Sequence, residues 1–68
     1  MKAIFARQVR LEDVIVVNEG LEVTVADAST VPDGAVLRRT HLRTKNGLEF
    51  SLNGNAVVGL ARRSGGMV

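Results

Sequence analysis

From Leu48 to Leu52 apolar and polar residues alternate strictly, and a turn triplet, Lys45-Asn46-Gly47, stands immediately before them. Alternation with period two marks a half-buried strand, so Arg39–Asn53 (RTHLRTKNGLEFSLN) reads as a β-hairpin. Side-chain chemistry then selects its register. A two-residue primed turn at Asn46-Gly47 would set Arg43 opposite Phe50 and His41 opposite Leu52, which puts cations on the apolar face. A three-residue loop with a left-handed Gly47 sets Thr44 opposite Leu48, Leu42 opposite Phe50 and Thr40 opposite Leu52. A slip of one residue exchanges the two faces of a whole strand, so the three-residue loop is expected. The other face then carries Arg43 beside Glu49, His41 beside Ser51 and Arg39 beside Asn53.

The same logic applies upstream. Val14-Ile15-Val16-Val17 is β-branched on both faces, as in a strand covered on both sides, and Asn18-Glu19-Gly20 repeats the three-residue loop. This pairs Val17 with Leu21, Ile15 with Val23 and Asp13 with Val25, and it sets Val16 opposite Glu22 and Val14 opposite Thr24. Lys2–Val9 reads as a first strand with Ile4 and Phe5 on opposite faces, followed at Leu11-Glu12-Asp13 by a short turn or one helical turn. Ala26–Val31 reads as a polar connector and Val31-Pro32-Asp33-Gly34 as a tight turn. Ala35–Thr44 is the next strand. Leu42 faces inward in this register, so bringing Leu37 inward as well requires a one-residue bulge near Arg38-Arg39. After Asn53-Gly54-Asn55, Val57–Ala61 forms a last strand. Arg62-Arg63 closes the ordered domain, residues 1–63, and residues 64–68 read as a flexible tail. The expected fold is all-β, with about five short antiparallel strands as a small barrel or a strongly curled meander sheet.

A chain of 68 residues is one domain, and a chain this short buries only about 60% of its unfolded surface. There is no cysteine, which excludes disulfides and thiolate metal sites. Phe5 and Phe50 are the only aromatic residues, and both are expected in the core. Ala3-Ile4-Phe5-Ala6 is too short for a signal-peptide core or a membrane span. A cytoplasmic protein, or one assembled in the cytoplasm of a host cell, is therefore expected, with no membrane partner. Residues 1–34 hold three cations against six carboxylates and residues 35–68 hold six against one. Such asymmetry belongs either to a basic binding face or to head-to-tail complementarity between copies.

Taken together, the Leu11–Val17 run, the Gly-containing hairpins, the Gly47–Leu52 segment and Val57-Val58 resemble small five-stranded barrels of the KOW type. They also resemble short β-proteins encoded by actinobacteria and their phages. The resemblance covers roughly residues 2–63 as hydrophobic pattern. The Gly-Asp often found before the second strand in such barrels is replaced here by Glu12-Asp13. Proteins of this shape bind RNA, DNA or protein, so the resemblance implies a binding role without choosing the ligand.

Catalysis is not expected. The one histidine, His41, has Arg39 and Arg43 as its alternate neighbours, and no carboxylate is placed by sequence to orient it. Glu12 and Asp13 are adjacent, hence on opposite faces of a strand, and form no carboxylate dyad. No metal-ligand spacing, no phosphate-loop glycine pattern and no need for a cofactor are present. The expected function is a non-catalytic module whose basic ribbon contacts nucleic-acid phosphates through Arg39, His41, Arg43 and Lys45, with Arg62 and Arg63 extending the patch. On one strand Arg39 and Arg43 stand about 13 Å apart, which suits separated phosphates. The alternative is a protein-interaction or assembly subunit, such as a phage-encoded modulator of a host protein, a virion component or a homo-oligomer. Its interface would be the Val14 and Val16 face.

Overall fold

A computed structural model describes residues 2–17 and 20–63. The alternating and β-branched runs form six strands: β1 (Lys2–Phe5), β2 (Val14–Val17), β3 (Leu21–Asp33), β4 (Leu37–Thr44), β5 (Glu49–Asn53) and β6 (Val57–Arg62). All neighbours pair antiparallel in one sheet of order β1-β6-β2-β3-β4-β5. The sheet is not closed, and β1 and β5 are its edges. It cannot be flat either. Three residues join Asn53 at the end of β5 to Val57 at the start of β6, a reach of at most about 14 Å. Those strands stand four places apart in the sheet, about 19 Å if flat. The sheet must curl, and its concave face holds one core.

That core is Val9, Ile15, Val23, Val25, Leu42 and Leu60, with half-buried Ile4, Val17, Phe50, Leu52 and Val58 packed around it. Both hairpin registers are as the alternation requires: Ile15 faces Val23 and Val17 faces Leu21, while Leu42 faces Phe50 and Thr40 faces Leu52. Asn18 and Glu19 of the first loop, and residues 64–68 of the expected tail, lie outside the described residues.

Four local expectations are corrected. The first strand stops at Phe5 and not at Val9, because Ala6–Gln8 turn into a single 3-10 turn. There the Gln8 side chain accepts the Phe5 N–H at 2.9 Å, and the N–H groups of Ala6 and Arg7 donate to Ala56 O and Gly54 O. With its donors met by the β5–β6 turn, this backbone needs no strand partner. The supposed polar connector Ala26–Val31 is instead the middle of β3. It pairs with β4 from Asp27↔Arg43 to Asp33↔Leu37, with Asp27, Ser29 and Asp33 on the solvated face. Consequently the turn is Gly34-Ala35-Val36, not Val31–Gly34. Finally, the bulge falls at Ala26 of β3 and not at Arg38-Arg39, where pairing is regular. Val25 and Ala28 are three residues apart, and only an extra residue between them lets both face the core. Leu37 stays outward and half exposed.

The turn before β2 contains the one non-glycine residue with positive φ among the described residues, Glu12 at +70°. Asp13 N donates to Arg10 O, while Glu12 N donates to Val25 O and Val25 N donates to Asp13 O. Two residues thus face one, as in a bulge whose first position favours glycine. The Glu12 side chain is exposed and pairs with Lys45 at 2.7 Å. A non-glycine residue in this region costs about 1–2 kcal/mol, more than an exposed ion pair returns. Glu12→Gly is expected to raise stability by about 0.5 kcal/mol after the entropy cost of glycine. Thermal unfolding checks this, and a lowered midpoint would contradict it.

Candidate nucleic-acid interface

On the outer face of the β3–β4–β5 ribbon the side chains stand in rows across three strands. Arg43 lies between Asp27 and Glu49, His41 between Ser29 and Ser51, and Arg39 between Val31 and Asn53. The expected stripe of Arg39, His41 and Arg43 is therefore present, but β3 brings carboxylates to it. Arg39 pairs with Asp33 at 3.3 Å and Arg43 with Asp27 at 3.9 Å. The other nominated cations are also paired: Lys45 with Glu12 at 2.7 Å, Arg62 with Glu22 at 3.4 Å and Arg63 with Asp13 at 2.9 Å. All five bridges join a carboxylate of residues 1–34 to a cation of residues 35–68. The charge asymmetry of the two halves meets inside one chain. Four of these bridges are solvent-exposed and worth about 0–1 kcal/mol each, so they do not immobilise their cations. Strand pairing also sets Glu49 beside Arg43, so Asp27, Asp33 and Glu49 stand among Arg39 and Arg43, where an approaching phosphate meets both signs.

Of the nine Lys and Arg residues, the remaining four make no ion pair among the described residues: Lys2, Arg7, Arg10 and Arg38. The fold gathers them around the 3-10 turn. Lys2, Arg7, Gln8 and Arg10, with Arg63, line a groove of about 370 Å³. Arg38 joins from β4: a side chain at Gly54 would meet the Cβ of Arg38 at 3.3 Å and that of Arg7 at 3.5 Å. The two arginines thus leave the backbone from adjacent points.

The floor of this region is fixed by Asp13, which is 1% exposed. Its carboxylate accepts Arg10 N at 2.8 Å, Arg63 Nε at 3.1 Å and Arg63 Nη2 at 2.9 Å. Burial alone would push the Asp13 carboxyl up. The Arg63 guanidinium, the Arg10 N–H and the charges of both arginines outweigh it and hold the carboxyl below its ordinary value of 3.8. The carboxylate in turn raises Arg63, whose Nη2 also donates to Gln8 O at 3.1 Å. The C-terminal end of β6 is thereby tied to the turn that carries Arg7 and Arg10.

Phe5 departs from expectation. It is 39% exposed on the convex face and absent from the core, whereas Phe50 packs against the core as expected. The Arg7 guanidinium lies over the Phe5 ring, 4.4 Å from its centroid, and donates to Asn55 Oδ1. Val14 and Val16 also face outward and are half-buried. Val16 lies between Glu22 and Gly59, and Val14 between Thr24 and Arg62.

Sequence reasoning did not nominate Lys2, Arg7, Arg10, Arg38 or Phe5. Three of these cations, Lys2, Arg7 and Arg10, lie in the acidic half of the sequence. The nearest carboxylates in sequence, Glu12 and Asp13, pair instead with Lys45 and Arg63 from the other half. Among the described residues no helix is long and apolar enough to cross a membrane. No family model, curated protein or solved structure matches the chain.

Proposed function

We propose that this protein is a non-catalytic binding module that takes nucleic-acid phosphates on the basic end around its 3-10 turn. One observation carries the reading. Four Lys and Arg side chains that make no ion pair among the described residues converge there, while the five nominated from sequence each make one. A phosphate chain laid along Lys2, Arg10, Arg7 and Arg38 replaces water and counterions at these groups, and no ion pair has to break. The ribbon, with Arg39, His41 and Arg43, flanks this end and contributes at low salt.

Binding of labelled oligonucleotides at several salt concentrations tests the proposal. Four phosphate contacts on a single strand correspond to a log–log salt slope of about −3. Arg7→Ala with Arg10→Ala should flatten the slope by about 1.4 and weaken binding at every salt concentration and for every sequence. Arg39→Ala with Arg43→Ala should change it far less. The reverse ranking would move the site to the ribbon, and an absence of binding at low salt would remove the reading.

A further inference from the structure

We infer that the ligand is single-stranded, and that an unstacked base docks on a shelf made by Phe5, Val57 and Ala3 while the flanking phosphates occupy the basic groove. The inference rests on the proposed phosphate-binding role and names its substrate class. On the convex face Phe5 stands opposite Val57, and Ala3 opposite Gly59. Phe5 and Val57 are 39% and 66% exposed, and Ala3 and Gly59 add almost no side chain. The result is an apolar shelf beside a hollow of about 140 Å³, with Gln8 as its polar rim.

Position ties this shelf to the cations. Ala3, Ile4 and Gln8 line both the hollow and the basic groove, so the two are contiguous. Arg7 belongs to both: it lines the groove and lays its guanidinium on the Phe5 ring. Bases displaced from a helix stack on aromatic rings and on guanidinium planes alike. A single strand therefore finds positive charge for its backbone and a ring–guanidinium surface for one base. A duplex can reach the cations, but its base faces are covered by their own stacking and cannot reach Phe5. The occupant is thus distinguished from a second copy of the chain or another protein by the cations beside the shelf that make no ion pair among the described residues.

Phe5→Leu tests this, because it keeps apolar bulk on an exposed position and removes the ring; Phe5→Tyr keeps the ring. Both variants and the unaltered protein are titrated with a DNA strand, the same sequence as RNA, a duplex of equal length and inorganic polyphosphate. Single strands of either sugar should bind more tightly than duplex at matched salt. Phe5→Leu should weaken them about tenfold with an unchanged salt slope and unchanged polyphosphate binding, and Phe5→Tyr should bind as the original does. Preference for duplex, or Phe5→Leu equal to the original on single strands, would overturn the inference while leaving phosphate binding intact. Failure of the underlying reading looks different: neither nucleic acid nor polyphosphate would bind in a salt-sensitive way.

Discussion

Asp13→Ala is expected to lower the thermal midpoint by about 10–20 °C. The carboxylate is 1% exposed and accepts three hydrogen bonds, two of them from Arg63 and one from the Arg10 backbone. Breaking a fully buried ion pair costs about 3–5 kcal/mol. Here Arg63 keeps 32% of its side chain in solvent and can rehydrate, so about 2–3 kcal/mol is the expected loss. A 68-residue domain has a total stability of about 3–10 kcal/mol, and each kilocalorie shifts its midpoint by about 4–8 °C. Asp13→Asn keeps the shape and one acceptor and should fall between the two. Because folding depresses the Asp13 carboxyl, its stabilisation is complete above the unfolded value near 3.8 and disappears as pH falls through the lower folded value. Midpoints measured downward from pH 5 should therefore drop more steeply for the original protein than for Asp13→Asn. Parallel curves would show that the carboxylate is not held as described.

Ile15→Ala should abolish cooperative unfolding at ordinary temperature or bring its urea midpoint close to zero. Ile15 is 1% exposed and stands in the middle of the curl, opposite Val23 on one side and Leu60 on the other. Truncating such a side chain costs about 2–5 kcal/mol, according to how far the cavity collapses. Paired strands on both flanks resist collapse, so the upper half of that range applies. Ile15→Val should cost about 1 kcal/mol. The neighbours serve as the control: Val14 and Val16 lie half-buried on the convex face, and Val16→Ala should cost under about 1 kcal/mol. Equal losses at Ile15 and Val16 would mean that both faces of β2 are core.

The parts of the fold that depend on neighbouring residues were legible in the sequence. Both hairpin registers follow from alternation plus a three-residue loop; in the second hairpin a slip of one residue would carry Arg43 and His41 onto the core face. The Ala26 bulge and the continuity of β3 were not legible, because Ala26–Val31 holds only small and polar residues. Its inward positions, Ala28 and Thr30, carry too little apolar area to mark a phase. Thr30 is instead matched to buried Thr40 by a 2.8 Å hydrogen bond between hydroxyls, a pairing that requires β4 to be in place. The 3-10 turn was hidden for a related reason: its N–H groups are answered by Gly54 and Ala56, nearly fifty residues away.

An all-β antiparallel chain, the facing residues of its two short hairpins and a surplus of positive charge are all written in the order and type of the residues. The strands and registers follow from side-chain period and loop length, which act locally along the chain, and the charge follows from composition. Which charges stand without an ion-pair partner among the described residues depends instead on the folded sheet. Its ion pairs join positions as distant as Glu12 and Lys45, Glu22 and Arg62, or Asp13 and Arg63, and a Coulomb interaction depends on distance in space and not along the chain. The curl of the sheet sets those distances. It gives Arg39, Arg43, Lys45, Arg62 and Arg63 their carboxylates, and it leaves Lys2, Arg7, Arg10 and Arg38 together beside an exposed phenylalanine.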